Sequence, residues 1–361
     1  YDGALDLVTE VGAQGVEVLT GTAATSLTAS GGGSATVEAA ELAAALTLSG
    51  YSTITVNDLA TDLLAGGTAG DVVVNTAAVS GDGASAADAA LEMTAGTGRL
   101  KVNGDDSVDA DTSTVDIAID ATSLADGTLD EDSDGNIETA DADLELLGDA
   151  EYVITNTNTS SGDEVVVDAS ALSVSGDVTL EGGGNFNFIN TKQDVEAPDL
   201  AGRLTVTTAD DGSGDAITVT AGRGELGVTT AESGDAITVA SANLIDTDTA
   251  DDELATGGNA SGDGFEVTAG GAGAITFNTL YADVDASGLS GDLVATIGSG
   301  SPTGFSEDVD IRLGTADATV NTNGYGVTFD AAAAGSGDTL TLNESGDVGV
   351  FAAGDGFTVD G

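Results

Sequence analysis

The sequence predicts an all-β chain: a β-solenoid (parallel β-helix), or multiple β-rich modules of short strands, with one or two short helices near the N-terminus. Three observations predict it. Nine Ser-Gly-Asp tripeptides punctuate the chain, at Ser80, Ser161, Ser175, Ser213, Ser233, Ser261, Ser290, Ser336 and Ser345. Most of them open into a short apolar and β-branched run, so each joins a turn signal to a strand signal. Two are near-verbatim repeats, Ser213–Val219 and Ser233–Val239, both reading SGDAITV. The apolar content is 40% but the aromatic content only 4%, and Ala and Val dominate it. Small side chains suit a thin core between closely stacked backbones. The 53 Gly and 2 Pro supply turns without the stiffness of a Pro-rich linker.

The helical expectation rests on the first hundred residues. Val37–Leu48 (VEAAELAAALTL) is rich in Ala and Glu, Asn57–Leu64 is a second candidate, and Ala84–Met93 a third. The strand candidates are short and rich in Val, Ile and Thr: Thr53–Val56, Val72–Val74, Val115–Ile119, Val165–Val167, Val178–Leu180, Leu204–Thr207, Ile217–Thr220, Ile237–Val239, Ile275–Phe277, Val327–Phe329 and Leu340–Leu342. Gly, Asp, Ser and Asn clusters separate them. Asp215 and Asp235 lie 20 residues apart, and Asp235 and Asp263 lie 28 apart. Such periods point to solenoid coils with a degenerate register.

The expected organisation is an N-terminal module with minor helical content (1–110), a β-rich module (111–195) and a degenerate-repeat β-solenoid or β-rich module (196–361). The seam falls in Asn190–Asp199, which holds Pro198; Pro302 sits in a surface-loop sequence, Gly298–Gly304. No apolar run reaches membrane-spanning length, and no signal-peptide pattern opens the chain. A start at Tyr1 fits a processed product or an excerpt.

Charge and composition exclude several functions. There are 63 Asp plus Glu against 6 Lys plus Arg, a formal charge of -57, with no His, Cys or Trp. The commonest general base, thiolate nucleophiles, structural zinc and disulfides are therefore all missing. Nucleic acid and anionic lipid are excluded as partners, because phosphate binding needs clustered cations. Ser-Asp pairs without His make no hydrolase triad. Carboxylate pairs for glycoside hydrolysis arise by chance among so many acids, and the aromatic platform for a sugar is missing. The chain is thus expected not to be an enzyme. Water, salt or bound divalent cations must balance the charge.

The strongest local motif is Asp130–Asp141, DEDSDGNIETAD. Asp130, Asp132 and Asp134 occupy positions 1, 3 and 5 of an EF-hand-type spacing. Gly135 permits the sharp turn, Asn136 offers its carbonyl, and Asp141 closes the shell in place of the usual Glu. These residues are the calcium candidates; an acidic surface loop is the plainer reading. A second set, Asp215, Asp235, Asp263 and Asp292, could form calcium-binding ladders between coils. The plainer reading there is turn capping by Asp side chains. Gly66–Val74 (GGTAGDVVV) approaches the calcium β-roll nonapeptide without matching it. Sequons at Asn158, Asn259 and Asn343 mark candidate glycan sites.

Three segments carry a family resemblance: Asp168–Leu172 (DASAL), Asp285–Asp292 (DASGLSGD) and, more loosely, Ile119–Leu124 (IDATSL). Asp-Ala-Ser-x-Leu followed by Gly and a Val/Thr strand resembles the repeats of bacterial S-layer proteins and RTX-like secreted surface proteins, over about residues 110–361. The resemblance implies an exported, disulfide-free, acidic protein that forms a surface lattice when calcium bridges its subunits. It makes Asp168 and Asp285 turn or ion-contacting residues. The missing nonapeptide consensus argues against a regular calcium roll. The expected function is therefore an extracellular, cell-surface structural protein that self-assembles into a layer, sheath or filament stabilised by calcium. Its expected partners are copies of itself and cell-surface polysaccharide. The rival readings are an adhesin or phage-type fibre stalk, and a polysaccharide-active β-helix enzyme.

Overall fold

A strand whose side chains alternate in and out can stack on a copy of itself indefinitely, provided the inward column stays apolar. This chain does so twice. The computed structural model describes all residues except 1–3, 13–14, 32, 51, 79–88, 90, 106–115, 125–141, 161–162, 174–177, 242, 246–264, 299–308, 344–346 and 352–356. The chain divides into two compact units, Tyr1–Gln193 and Asp194–Gly361. The described residues are all-β, and no helix occurs among them.

The first unit contains sixteen described strands, from Leu5–Glu10 to Asn185–Thr191. Consecutive strands alternate between two sheets, so each strand pairs in parallel with the next but one. A parallel partner is therefore one full coil away. The inward columns are continuous. In one sheet Ala35, Ile54, Val72, Leu100, Leu144, Val167 and Phe188 lie in register. Beside them run Val37, Val56, Val74, Val102 and Leu146, all with 0% exposure. Each fully buried aliphatic side chain contributes about 1.5–3 kcal/mol. A thin core needs many of them in line.

The second unit repeats the plan with fifteen described strands, from Val195–Glu196 to Thr358–Asp360. Ile217, Ile237, Ile275, Leu293, Ala318 and Leu340 form one inward column. Leu204, Leu226, Val267, Val284, Ile311 and Phe329 form its counterpart in the other sheet. The SGDAITV repeats sit in register, Ile217 on Ile237 and Val219 on Val239. Each unit thus has the two-sheet, parallel, short-strand architecture of a β-solenoid. The sequence-predicted strand runs fall on strands, except that in Val115–Ile119 Val115 lies outside the described residues and Asp116 precedes strand Ile117–Asp120.

The helical expectation is overturned for Val37–Leu48 and Asn57–Leu64. Val37–Leu48 forms the end of one strand, a corner and the start of the next. Leu42 N–H donates to Ala39 O at 2.9 Å, closing a β-turn. Val37, Ala39, Leu42, Leu46 and Leu48 are all buried. The two ends of the segment enter the inward columns of different sheets, Val37 on Val56 and Leu46 on Thr25 and Leu63, which one straight helix could not do. Asn57–Leu64 likewise spans the end of Thr53–Leu59 and the start of Leu63–Thr68. Asp58 has φ 53°, and the register shifts between Val56 and Leu59, marking a bulge. Of Ala84–Met93, residues 84–88 and 90 lie outside the described residues, and Leu91–Met93 belong to strand Leu91–Thr94.

The corner of Val37–Leu48 recurs. Ala-x-x-Leu closes the same turn at Ala121–Leu124 (2.9 Å) and Ala197–Leu200 (3.1 Å), and Ser241–Leu244 does so at 3.0 Å. The small first residue fits inside the bend, and the Leu returns to the core at 5% exposure or less. At other corners glycine is obligatory. Gly50 has φ +116°, and a Cβ there would strike the carbonyl of Ala29 on the preceding coil.

Candidate functional site

Carboxylates are the chain's main chemical resource, and the fold places them at coil corners and strand bulges. Three patterns recur. In the first, an Asp at a strand end (Asp120, Asp330) or at a bulge within a strand (Asp168, Asp285) accepts the N–H two residues on, in an Asx turn, and is followed by a fully buried Ala. Asp120 takes Thr122 (3.1 Å), Asp168 takes Ser170 (2.8 Å), Asp285 takes Ser287 (2.9 Å) and Asp330 takes Ala332 (3.0 Å). The Asp-Ala-Ser segments are therefore bulge sequences, lying within strands Glu164–Leu172 and Val284–Leu289 where the pairing register shifts.

In the second, the Asp of Ser-Gly-Asp stands immediately before a strand and closes the turn behind it. Asp235 accepts Glu232 N–H at 2.9 Å, and Asp338 accepts Gly335 N–H at 2.6 Å. In the third, a carboxylate reaches across one coil to a backbone N–H. Asp143 takes Val166 (2.8 Å), Asp116 takes Glu151 (3.2 Å) and Asp317 takes Thr339 (2.8 Å). Asp143 and Asp317 stand just before the partner strand begins, so these bonds satisfy amides where the ladder ends.

Where the third pattern repeats at one corner, acids stack into a column. Glu266 accepts Asp283 N–H at 3.0 Å, and Asp283 accepts Asp310 N–H at 2.7 Å. Asp283 and Asp310 are 4% and 7% exposed. The strand pairing puts the three on successive coils. Sequence reasoning missed this column because its members lie 17 and 27 residues apart. The available signal was an acid next to each strand start.

Of the sequence-predicted acids, Asp215 and Asp235 lie on adjacent coils, and Asp215 N–H donates to Asp235 Oδ1 at 3.0 Å. Asp235 is 2% exposed and also accepts the Thr208 hydroxyl at 2.5 Å. Burial pushes its pKa up, but the hydrogen bonds from Thr208 and from backbone amides outweigh that and hold it below the usual carboxylate value. Asp292 is exposed and immediately precedes strand Leu293–Ile297. Asp130, Asp132, Asp134, Asn136, Asp141 and Asp263 lie outside the described residues. Among the described residues, no group of three or more acids is arranged to hold a metal ion.

The few cations act as staples across coils. Lys101 pairs with Glu145 at 2.5 Å, and Arg99 Nε donates to Ala142 O at 2.8 Å. Arg312 lies between Asp285 (2.8 Å) and Asp330 (3.5 Å), with its guanidinium 4.7 Å from the centre of the Phe265 ring. Asp285 has a lowered pKa: desolvation raises it, but the Ser287 hydrogen bonds and Arg312 more than compensate.

Comparison with protein-family models, with curated proteins and with solved structures returns no match for this chain.

Proposed function

We propose that this chain is an extracellular structural protein, S-layer-like or RTX-like, whose copies assemble into a surface layer, sheath or filament with calcium bridging carboxylates. The observation that carries the reading is the combination of a repeating scaffold with a large excess of acids, 63 against 6 cations. Each unit presents its outer residues once per coil, and exposed acids such as Asp292 and Asp317 stand directly before neighbouring strands of one sheet, on a chain carrying -57. Copies of such a chain repel one another on contact. Sodium only screens that repulsion, whereas calcium takes six to eight oxygens at about 2.3–2.6 Å and can draw them from two chains. The role is non-catalytic, and the partners are further copies and cell-surface polysaccharide.

The test is electron microscopy and light scattering of the purified chain with calcium, with chelator, and with sodium chloride at matched ionic strength. Calcium is expected to give polymers, chelation to release soluble subunits, and re-addition to restore the polymers. Polymers that survive prolonged chelation, or that sodium chloride supports equally well, would overturn the calcium bridge.

A further inference from the structure

On a chain with 63 acids, two adjacent outward columns of one sheet in the second unit carry none across six strands, with exposed Asp292 and Asp317 flanking them at the strand starts. Thr218, Thr238, Thr276, Val294, Thr319 and Thr341 form an outward column in register across six strands, from Ala216–Thr220 to Thr339–Asn343. The neighbouring outward column, from Thr220 to Asn343, holds only Thr, Ala and Asn. Charge resumes at both borders: Glu196 pairs with Thr220 on one side, and Asp360 with Thr341 on the other. The opposite sheet of the same unit carries Asp285, Arg312 and Asp330 in one outward column. Val294, 38% exposed, stands in the middle of the neutral face.

We infer that this neutral face is the contact surface between two copies of the chain; the inference rests on the assembly reading above and names the surface that assembly uses. Three properties favour a second copy as the occupant. Approach through the two middle columns sets no carboxylate at the centre of the contact and leaves Asp292 and Asp317 at its edge, where water still reaches them. Its columns repeat at the inter-strand spacing, about 4.8 Å, and a second copy repeats at the same spacing, so side chains of one face register between those of the other. Thr hydroxyls both donate and accept, which makes the face complementary to itself, and β-branched side chains lose little rotamer freedom on contact.

Six strands and two columns span roughly 400 Å² per copy, from strand spacing and side-chain repeat. That is about half of the roughly 800 Å² per partner of a stable dimer. One such contact is therefore weak alone and becomes effective when repeated along an assembly.

The experiment is sedimentation velocity of the full chain over a concentration series, in chelator and enough sodium chloride to screen the net charge. Three proteins are compared: wild type, Thr238→Glu/Thr319→Glu on the neutral face, and Thr205→Glu/Thr229→Glu on the other sheet. Both variants add two charges, and circular dichroism confirms that each is folded. Wild type and the second variant are expected to self-associate alike, with the neutral-face variant at least tenfold weaker. Because the chain lacks Cys, Val294→Cys provides a second readout. Its copies are expected to cross-link through a short bis-maleimide, while Thr205→Cys copies are not.

A neutral-face variant that associates like wild type overturns the inference, as does a wild type that stays monomeric throughout. Calcium-induced polymers unaffected by either double variant keep the proposed function and discard this face. Loss of both self-association and calcium polymers in the neutral-face variant alone supports both. A monomeric wild type that binds cell-wall glycan, and loses that binding with Thr238→Glu/Thr319→Glu, assigns the face to a polysaccharide and overturns the inference.

Discussion

Replacing Asp235 with Ala should weaken the second unit locally, and by an amount the structure lets one work out. The carboxylate receives the Thr208 hydroxyl at 2.5 Å, Glu232 N–H at 2.9 Å and Asp215 N–H at 3.0 Å, at a site 2% exposed. Hydrogen bonds to a charged group contribute about 1.5–3 kcal/mol each, and a buried donor left unpaired costs about 1–3 kcal/mol. Thr208 and the exposed side of the turn can partly re-pair, so the net loss should be about 2–4 kcal/mol. In a stack of coils such a loss is felt mainly by neighbouring coils. Hydrogen exchange read by mass spectrometry on the full chain is therefore the suitable assay. Protection of residues 204–240 should fall about 30- to 1,000-fold, at about 1.4 kcal/mol per decade. The first unit should be unaffected.

The same site gives a pH signature. The folded pKa of Asp235 is lowered, so its contribution is complete above the ordinary Asp value and is lost as pH falls through the folded value. Asp235→Asn should flatten the acid limb of local stability below about pH 4, the range of an ordinary Asp. Unchanged protection of 204–240 in Asp235→Ala would refute the claim that this carboxylate holds the corner.

Three further outcomes are expected. Tyr152→Phe should cost about 1–3 kcal/mol, because the buried hydroxyl accepts Gly104 N–H (3.1 Å) and donates to Leu147 O (2.9 Å), leaving two backbone groups unpaired; burial also raises that phenol's pKa, so wild-type Tyr152 should resist ionisation in a spectrophotometric titration. Gly50→Ala should be among the most damaging single-methyl changes in the first unit, since a Cβ at φ +116° meets the Ala29 carbonyl, and thermal melting of the variant checks this. Arg312→Met should raise the Asp285 pKa, visible by NMR titration, because the cation that favours its charged form is removed.

Much of the fold is legible in the sequence because strand physics is local. Runs such as Ile217–Thr220 and Ile275–Phe277 are β-branched, alternate and end in turn residues, and each became a strand. Val37–Leu48 misled because Ala and Glu favour helix by propensity alone. Propensity is overridden when the same residues can enter two apolar columns with a corner between them. The candidate site was less legible. Asp235 was visible as a repeat position, but its role as a cap depends on Thr208, which lies 27 residues away. The column of Glu266, Asp283 and Asp310 had no fixed period to reveal it.

The sequence by itself determined the strand content, the acidity, the absence of thiol and imidazole chemistry, and the positions of the turns, because composition and period-two patterning are properties of short windows. The tertiary structure decided the register. Register fixes which acid lies above which, which N–H each one accepts, and which outward columns are left without charge. In a parallel stack, residues on neighbouring strands are separated by a whole coil of variable length. Thr238 meets Thr276 38 positions later but Thr218 only 20 before. Only the stacking of the inward apolar columns sets those intervals, because a slip of one residue would turn every buried side chain outward.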